Sequence, residues 1–137
     1  MHNYNLAWQP TETQFLEALL LATGGEGAAP LQEVLLMADA IDGTVFTLKE
    51  VEQALEKLVA AQVITVQKNK LAIVAEFLQR YEAATLQQGL TENNSVLLHL
   101  LEQQTITEET IKTAKEGELK KYKLKNHYQA YQEQFGG

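Results

Sequence analysis

A chain of 137 residues with a formal net charge of −7 and no cysteine is bounded before any motif is read. At this length roughly two thirds of the unfolded surface leaves water on folding, so a real core is within reach, and one domain with an appendage fits better than two full domains. The missing cysteines exclude disulfides and thiolate metal sites, and no apolar run approaches a membrane span, since the nearest, Leu16 to Ala22, is short and broken by Glu17.

The opening MHNYNLAWQP lacks the basic flank and apolar centre of a secretory signal, which makes a cytoplasmic location the default. Thr11 reads as an N-cap, with Gln14 three residues on. Phe15, Leu16, Leu19 and Leu20 then share one helical face. Gly24 and Gly25 end that helix, because glycine tolerates the positive φ of a C-cap. GGEGAAP reads as a connector, and Pro30 suits the first turn of a second helix. The apolar face of that helix is Leu31, Val34, Leu35, Ala38 and Ile41. Asp42 and Gly43 break the chain again, and Val45 with Phe46 allows a stub of strand.

Thr47 is a second N-cap, and Glu50 completes its capping box. The third helix is apolar at Val51, Leu55, Leu58 and Val59, with Lys49, Glu50, Gln53, Glu56 and Lys57 mostly on the wet side. From Val63 the period changes from helical to alternating. Val63 to Lys68 and Lys70 to Ala75 predict a two-stranded hairpin, rich in β-branched residues. Asn69 accepts the left-handed conformation its turn needs.

A further helix is predicted over Ala75 to Gln87, with Phe77, Leu78, Tyr81 and Leu86 available for burial. Gly89 separates the last third. Thr91 to Asn94 offers caps for a short apolar helix, Val96 to Gln104, and Thr105 with Glu108, or Thr107 alone, starts the next. Ile111, Ala114, Leu119 and Tyr122 fit that helix, with Gly117 its weak point. Leu124, Tyr128, Tyr131 and Phe135 form an apolar stripe along a last helix, and the phase shift after Tyr122 implies a break or bend.

The order of helix, helix, helix and hairpin over residues 11 to 75 resembles the winged-helix superfamily of transcription regulators. The carrying pattern is LEKLVAAQVI, Leu55 to Ile64, followed by a hairpin with Lys68, Asn69 and Lys70 at its tip. The resemblance implies a recognition helix over Thr47 to Ala61, with Thr47, Lys49, Glu50, Gln53 and Lys57 toward the major groove of duplex DNA. It assigns Lys68, Asn69 and Lys70 to the wing, near the DNA backbone or minor groove. Two features depart from that pattern. Gln62 stands where the family commonly has glycine, so Gln62→Gly is predicted to stabilise the fold if the usual turn is kept. Glu50, Glu52 and Glu56 outnumber Lys49 and Lys57 on the reading helix, which opposes phosphate neutralisation.

Charge is unevenly placed. Residues 1–111 carry five Lys or Arg against fifteen Asp or Glu, whereas residues 112–137 carry six Lys against three Glu. Lys112, Lys115, Lys120, Lys121, Lys123 and Lys125 therefore form a basic segment, which either solvates a helix, docks on the acidic body or supplies phosphate contacts. Leu124, Tyr128, Tyr131 and Phe135 admit two readings as well, packing against the body or a subunit interface of a homo-oligomer.

No constellation for catalysis stands out. His2, His99 and His127 lack carboxylates at metal-ligand spacing, and GGEGAAP has no Lys followed by Ser or Thr to cradle phosphate. Glu108 and Glu109 are neighbours that diverge on a helix and favour its dipole. The sequence implies no metal, no cofactor and no enzyme. The expected fold class is α+β, mostly helical: an N-terminal winged helix, three helices plus a β-hairpin, over residues 8–86, and a C-terminal helical extension over residues 87–137. The expected function is a DNA-binding regulator acting as a homodimer. The alternative is an acidic winged-helix module that binds a protein partner and no DNA. A third reading is a small-molecule sensor with a pocket between body and extension.

Overall fold

Proline dictates where the first helix begins. The computed structural model describes residues 8–24, 26–88 and 93–135, with the side chains of 42, 87, 88, 93–95, 134 and 135 outside it. Helix α1 runs over Pro10–Thr23, with Gln9 rather than Thr11 as its N-cap. Pro10 takes the first helical position, where its missing N–H costs nothing and its fixed φ is already helical. The Glu12 carboxylate accepts from the Gln9 backbone N–H. Gly24 closes the helix in the left-handed conformation, φ 67°.

Strand β1 is only Ala28–Ala29, and helix α2 follows over Leu31–Asp42. The stub of strand thus lies in the Gly-Ala connector, while Val45 and Phe46 form an irregular link. Alanine has little strand preference, so no local signal marked it. What makes it a strand is the free edge of β3 (Lys70–Ile73), which pairs Ala28 with Ala72 and Ala29 with Leu71. Ile41, expected on the buried face of α2, is exposed at 41%. It falls at the last turn of α2, just before the glycine cap of that helix.

Helix α3 spans Leu48–Ala60 and has the capping box expected of it: Thr47 Oγ1 accepts from Glu50 N–H, and the Glu50 carboxylate accepts from Thr47 N–H. Strand β2, Ile64–Gln67, pairs antiparallel with β3, giving a three-stranded sheet ordered β1-β3-β2. Lys68 and Asn69 make the two-residue turn with φ of 48° and 69°. Positive φ at both central positions is the primed turn that matches strand twist.

Gln62, between α3 and β2, also sits left-handed at φ 62°. A tight return is closed there by Val63 N–H donating to Leu58 O at 2.9 Å. The strain of holding a side-chain residue in that region is accepted. Gln62→Gly should therefore raise unfolding free energy by about 0.5–1 kcal/mol, less than the full strain because glycine loosens the unfolded chain. A chemical-denaturation midpoint that stays or falls would contradict this.

Beyond the sheet come α4 (Ala75–Gln88), α5 (Asn93–Glu102), α6 (Glu108–Glu116), α7 (Glu118–Tyr122) and α8 (Leu124–Phe135). Leu86, expected to be available for burial, is 85% exposed. Gly25, Gly89 and the caps at Thr91 and Glu92 lie outside the described residues. The predicted weak point at Gly117 is a break between α6 and α7. A Cβ there would meet the Thr113 carbonyl oxygen at 3.0 Å, so glycine allows the close approach. The phase shift after Tyr122 is resolved by Lys123, left-handed at φ 57°.

One core joins all this. Phe15, Leu16, Leu19, Leu55 and Leu58 from the first half are continuous with Leu97, Leu101, Ile111, Tyr122 and Tyr131 from the second. Helix α1 packs on α2, α3 and α5, α6 lies along α3, and α8 lies on α2. The segment read as an extension from residue 87 is part of the same apolar interior. The fold is α+β, mostly helical, with a small antiparallel sheet.

Candidate functional site

The side chains of α3 are the first to locate, since the sequence assigned them the most. The period that buries Val51, Ala54, Leu55 and Leu58 does not leave the rest of the helix wet. Lys57, expected on the exposed side, is 3% exposed. Its Nζ lies 3.4 Å from Glu12 Oε1, and Glu12 is equally buried. A lysine in that position cannot reach a phosphate outside. Glu56, also expected to be wet, is half-buried, with Lys115 Nζ of α6 3.8 Å from its Oε2. Burial raises the Glu56 carboxyl above its usual range, Lys115 pulls it back, and Glu52 one turn earlier pushes it up again. Thr47, Lys49, Glu52 and Gln53 remain exposed, and Glu50 is half-exposed in the capping box.

Helix α3 is thus packed on several sides in its C-terminal half, while its first turns keep an exposed face. Helix α1 takes one contact, α6 another, and α7 and α8 also touch it. Ile111 and Ala114 are the buried residues of α6, and they account for the packing there. Two gaps lie between α3 and the later helices: one of about 140 Å³ lined by Glu52, Leu55, Glu56, Lys115, Leu119 and Leu124, and an open one of about 360 Å³ between Val59, Ala60 and the α6–α7 junction. Small-molecule sites usually span about 300–1,000 Å³, so the first gap is small for a ligand of ordinary size and the second is at the lower end and wide open to solvent.

The hairpin tip behaves differently. Lys68, Asn69 and Lys70 are all exposed. Beside them α7 meets β2, an edge strand whose outward N–H groups need partners. Glu118 supplies one: its Oε2 accepts from Val66 N–H at 2.8 Å and from Thr65 Oγ1 at 3.1 Å. Charge-assisted bonds to one carboxylate oxygen pin α7 against the sheet. An open groove results between the hairpin tip and the α6–α7 junction, with Lys68 and Asn69 on the hairpin side and Glu116 and Lys121 on the helical side. Of the basic segment, Lys115 is taken up by Glu56, whereas Lys112, Lys120, Lys121, Lys123 and Lys125 are exposed. The groove could not be read from sequence, because Lys68 and Lys121 are distant in the chain and border it only once α7 is seated beside β2.

The aromatic stripe folds inward. Tyr128 and Tyr131 are buried, their rings 5.9 Å apart, and Tyr128 Oη donates to the Phe46 carbonyl at 2.6 Å. Burial, followed by the neighbouring Tyr131 and Glu50, raises the Tyr128 phenol above its usual range. Leu124 is half-buried, and the Phe135 side chain lies outside the described residues. Burial of these two tyrosines is supplied by the chain itself and needs no second protomer. Tyr122 is buried as well, stacked on His127 with centroids 4.5 Å apart. Its hydroxyl has no hydrogen-bond partner among the described residues, and burial pushes it far above the usual phenol range.

His99 is exposed on α5. Among the described residues no group of three or more His, Asp or Glu is placed to hold a metal ion, and no described helix is long and apolar enough to cross a membrane. No family model, no curated protein and no solved structure matches this chain.

Proposed function

We propose that this chain is a non-enzymatic protein-interaction module built on a winged-helix scaffold, and that it does not read duplex DNA with its third helix. The scaffold reading is supported by the element order, α1-β1-α2-α3-β2-β3, and by a sheet in which the hairpin is extended by the short strand after α1. The functional reading is carried by the charge of α3: its Lys57 is buried, and its exposed face is acidic. A recognition helix must lie in the major groove with its side chains on base edges, and here α6 packs along α3 and Lys57 is spent on Glu12. The exposed remainder, Lys49 with Glu50, Glu52 and Gln53, is net acidic and repels phosphates. What remains available to a partner is the outer surface, where binding to a protein needs no groove-sized helix.

The test is binding of random-sequence duplex DNA at low and moderate salt. The expected result is no binding that depends on Lys49 or Gln53. Affinity that falls steeply with salt and is lost on Lys49→Gln/Gln53→Ala would overturn this reading and restore the DNA-binding one.

A further inference from the structure

We propose that Glu118 is an autoinhibitory plug on the edge of β2, which keeps that strand from pairing with β2 of a second copy of the chain. The proposal goes beyond the interaction-module reading and does not depend on it.

The hairpin register decides which backbone groups face outward. Gln67 pairs with Lys70 across the two-residue turn, and Val63 O accepts from Val74 N–H at 2.8 Å. Alternation along an antiparallel ladder then turns the N–H and carbonyl groups of Thr65 toward β3, and those of Ile64 and Val66 away from it. The order β1-β3-β2 places β2 at the rim of the sheet. Its sequence, ITVQ, has no charge, no glycine and no proline. An edge without those devices is a template for another strand. It is also self-complementary. Set antiparallel about Thr65, Ile64 of one copy lies opposite Val66 of the other, and the outward groups of each satisfy the other's.

Glu118 occupies that place. Its Oε2 accepts from Val66 N–H at 2.8 Å and from Thr65 Oγ1 at 3.1 Å. One outward donor and the residue at the centre of the pairing are thus taken together. A carboxylate is a stronger acceptor than the neutral carbonyl of an incoming strand, and α7 behind it lies against β2.

The plug is separable from its neighbours. Helix α7 stands between Gly117, φ −99° and ψ −107°, and Lys123, left-handed at φ 57°. Breaks at both ends let the segment leave the strand without unwinding α6 or α8. Tyr122, its buried anchor, has a hydroxyl with no hydrogen-bond partner among the described residues. That orphaned group and the left-handed lysine both oppose the docked position, so the Glu118 bonds count for more in holding it.

The test uses the full chain. Sedimentation equilibrium over a concentration series reads association, and hydrogen exchange reads the Ile64 and Val66 amides. Glu118→Ala is expected to associate in a step that the parent lacks. In dilute protein its Val66 amide should exchange about tenfold faster than in the parent, and both amides should regain protection as the concentration rises. Glu118→Gln keeps an acceptor in the same place and should lack the new step. Four results overturn the inference. One is a Glu118→Ala protein with no new association at any concentration, whatever its amides do. Another is association that leaves Ile64 and Val66 unprotected, because it uses a different surface. A third is Glu118→Gln associating as strongly as Glu118→Ala. The last is a Glu118→Ala chain that no longer melts cooperatively, because Glu118 is then a structural tie and not a plug.

Discussion

Replacing Lys57 by methionine should lower the unfolding free energy by about 3 kcal/mol. The ammonium group and its partner are both almost wholly removed from water, with Lys57 at 3% and Glu12 at 2% exposure. Deleting one charge strands the other in the interior, where desolvation is no longer offset by attraction. Among the described residues Glu12 would keep its hydrogen bond from the Gln9 N–H and no cation. The companion variant is Glu12→Gln/Lys57→Met. Glutamine still serves as acceptor at the third helical position, and both charges are gone together. That protein should lie within about 1 kcal/mol of the parent, because a buried pair contributes far less than the loss of one member suggests. Urea unfolding of the three proteins decides the matter. A single variant that costs as little as a surface pair, about 0.5 kcal/mol or less, would show that Lys57 reaches water in solution. The burial of Lys57 in α3, on which the functional reading stands, would then be wrong.

The second large effect is expected at Ile111→Ala. Ile111 is 1% exposed on α6 and belongs to the same apolar cluster as Leu55 and Leu58 of α3. Truncating a buried isoleucine leaves a cavity and costs about 2–5 kcal/mol. The informative readout is Trp8, the only tryptophan of the chain, which packs half-buried against the core near its start. If residues 8–86 and 87–137 share one cooperative interior, tryptophan fluorescence and far-ultraviolet dichroism lose midpoint together. A tryptophan transition that stays put while dichroism moves would mean that the later helices unfold as a separate unit.

Much of the secondary structure was legible because its causes are local. The Thr47–Glu50 capping box, the switch to alternation after Gln62 and the polar tip at Lys68–Asn69 each rest on residues within a few positions of one another. The bend at Lys123 was likewise written in the spacing of Tyr122 and Leu124, whereas at Gly117 the sequence marked a weak point in one helix and the structure divides it in two. Exposure was less legible. A helical wheel divides α3 into one dry and one wet face, on the assumption of one packing partner. Helix α3 has several, so Glu56 and Lys57, nominally wet, face α6 and α1. Strand β1 was missed for a related reason: two alanines carry no preference, and only the unpaired edge of β3 makes them a strand.

The candidate site divides the same way. Exposure of Lys68 and Asn69 follows from their place in a two-residue turn and that of Lys70 from its place beside it, and the basic character of residues 112–137 follows from counting. That Lys68 and Lys121 border one groove does not follow from either. It depends on Glu118 reaching an edge-strand N–H across 52 residues of sequence.

By itself, then, the sequence determined where the chain turns helical, where it pairs as strands and where its charge lies, because capping, periodicity and φ preference act over a few residues. Only the tertiary structure decided which helix faces are dry, which lysine is buried on which carboxylate, and which surface is left for a partner. Those outcomes depend on contacts between segments far apart in the chain, and burial is a property of the assembled neighbours rather than of any residue alone.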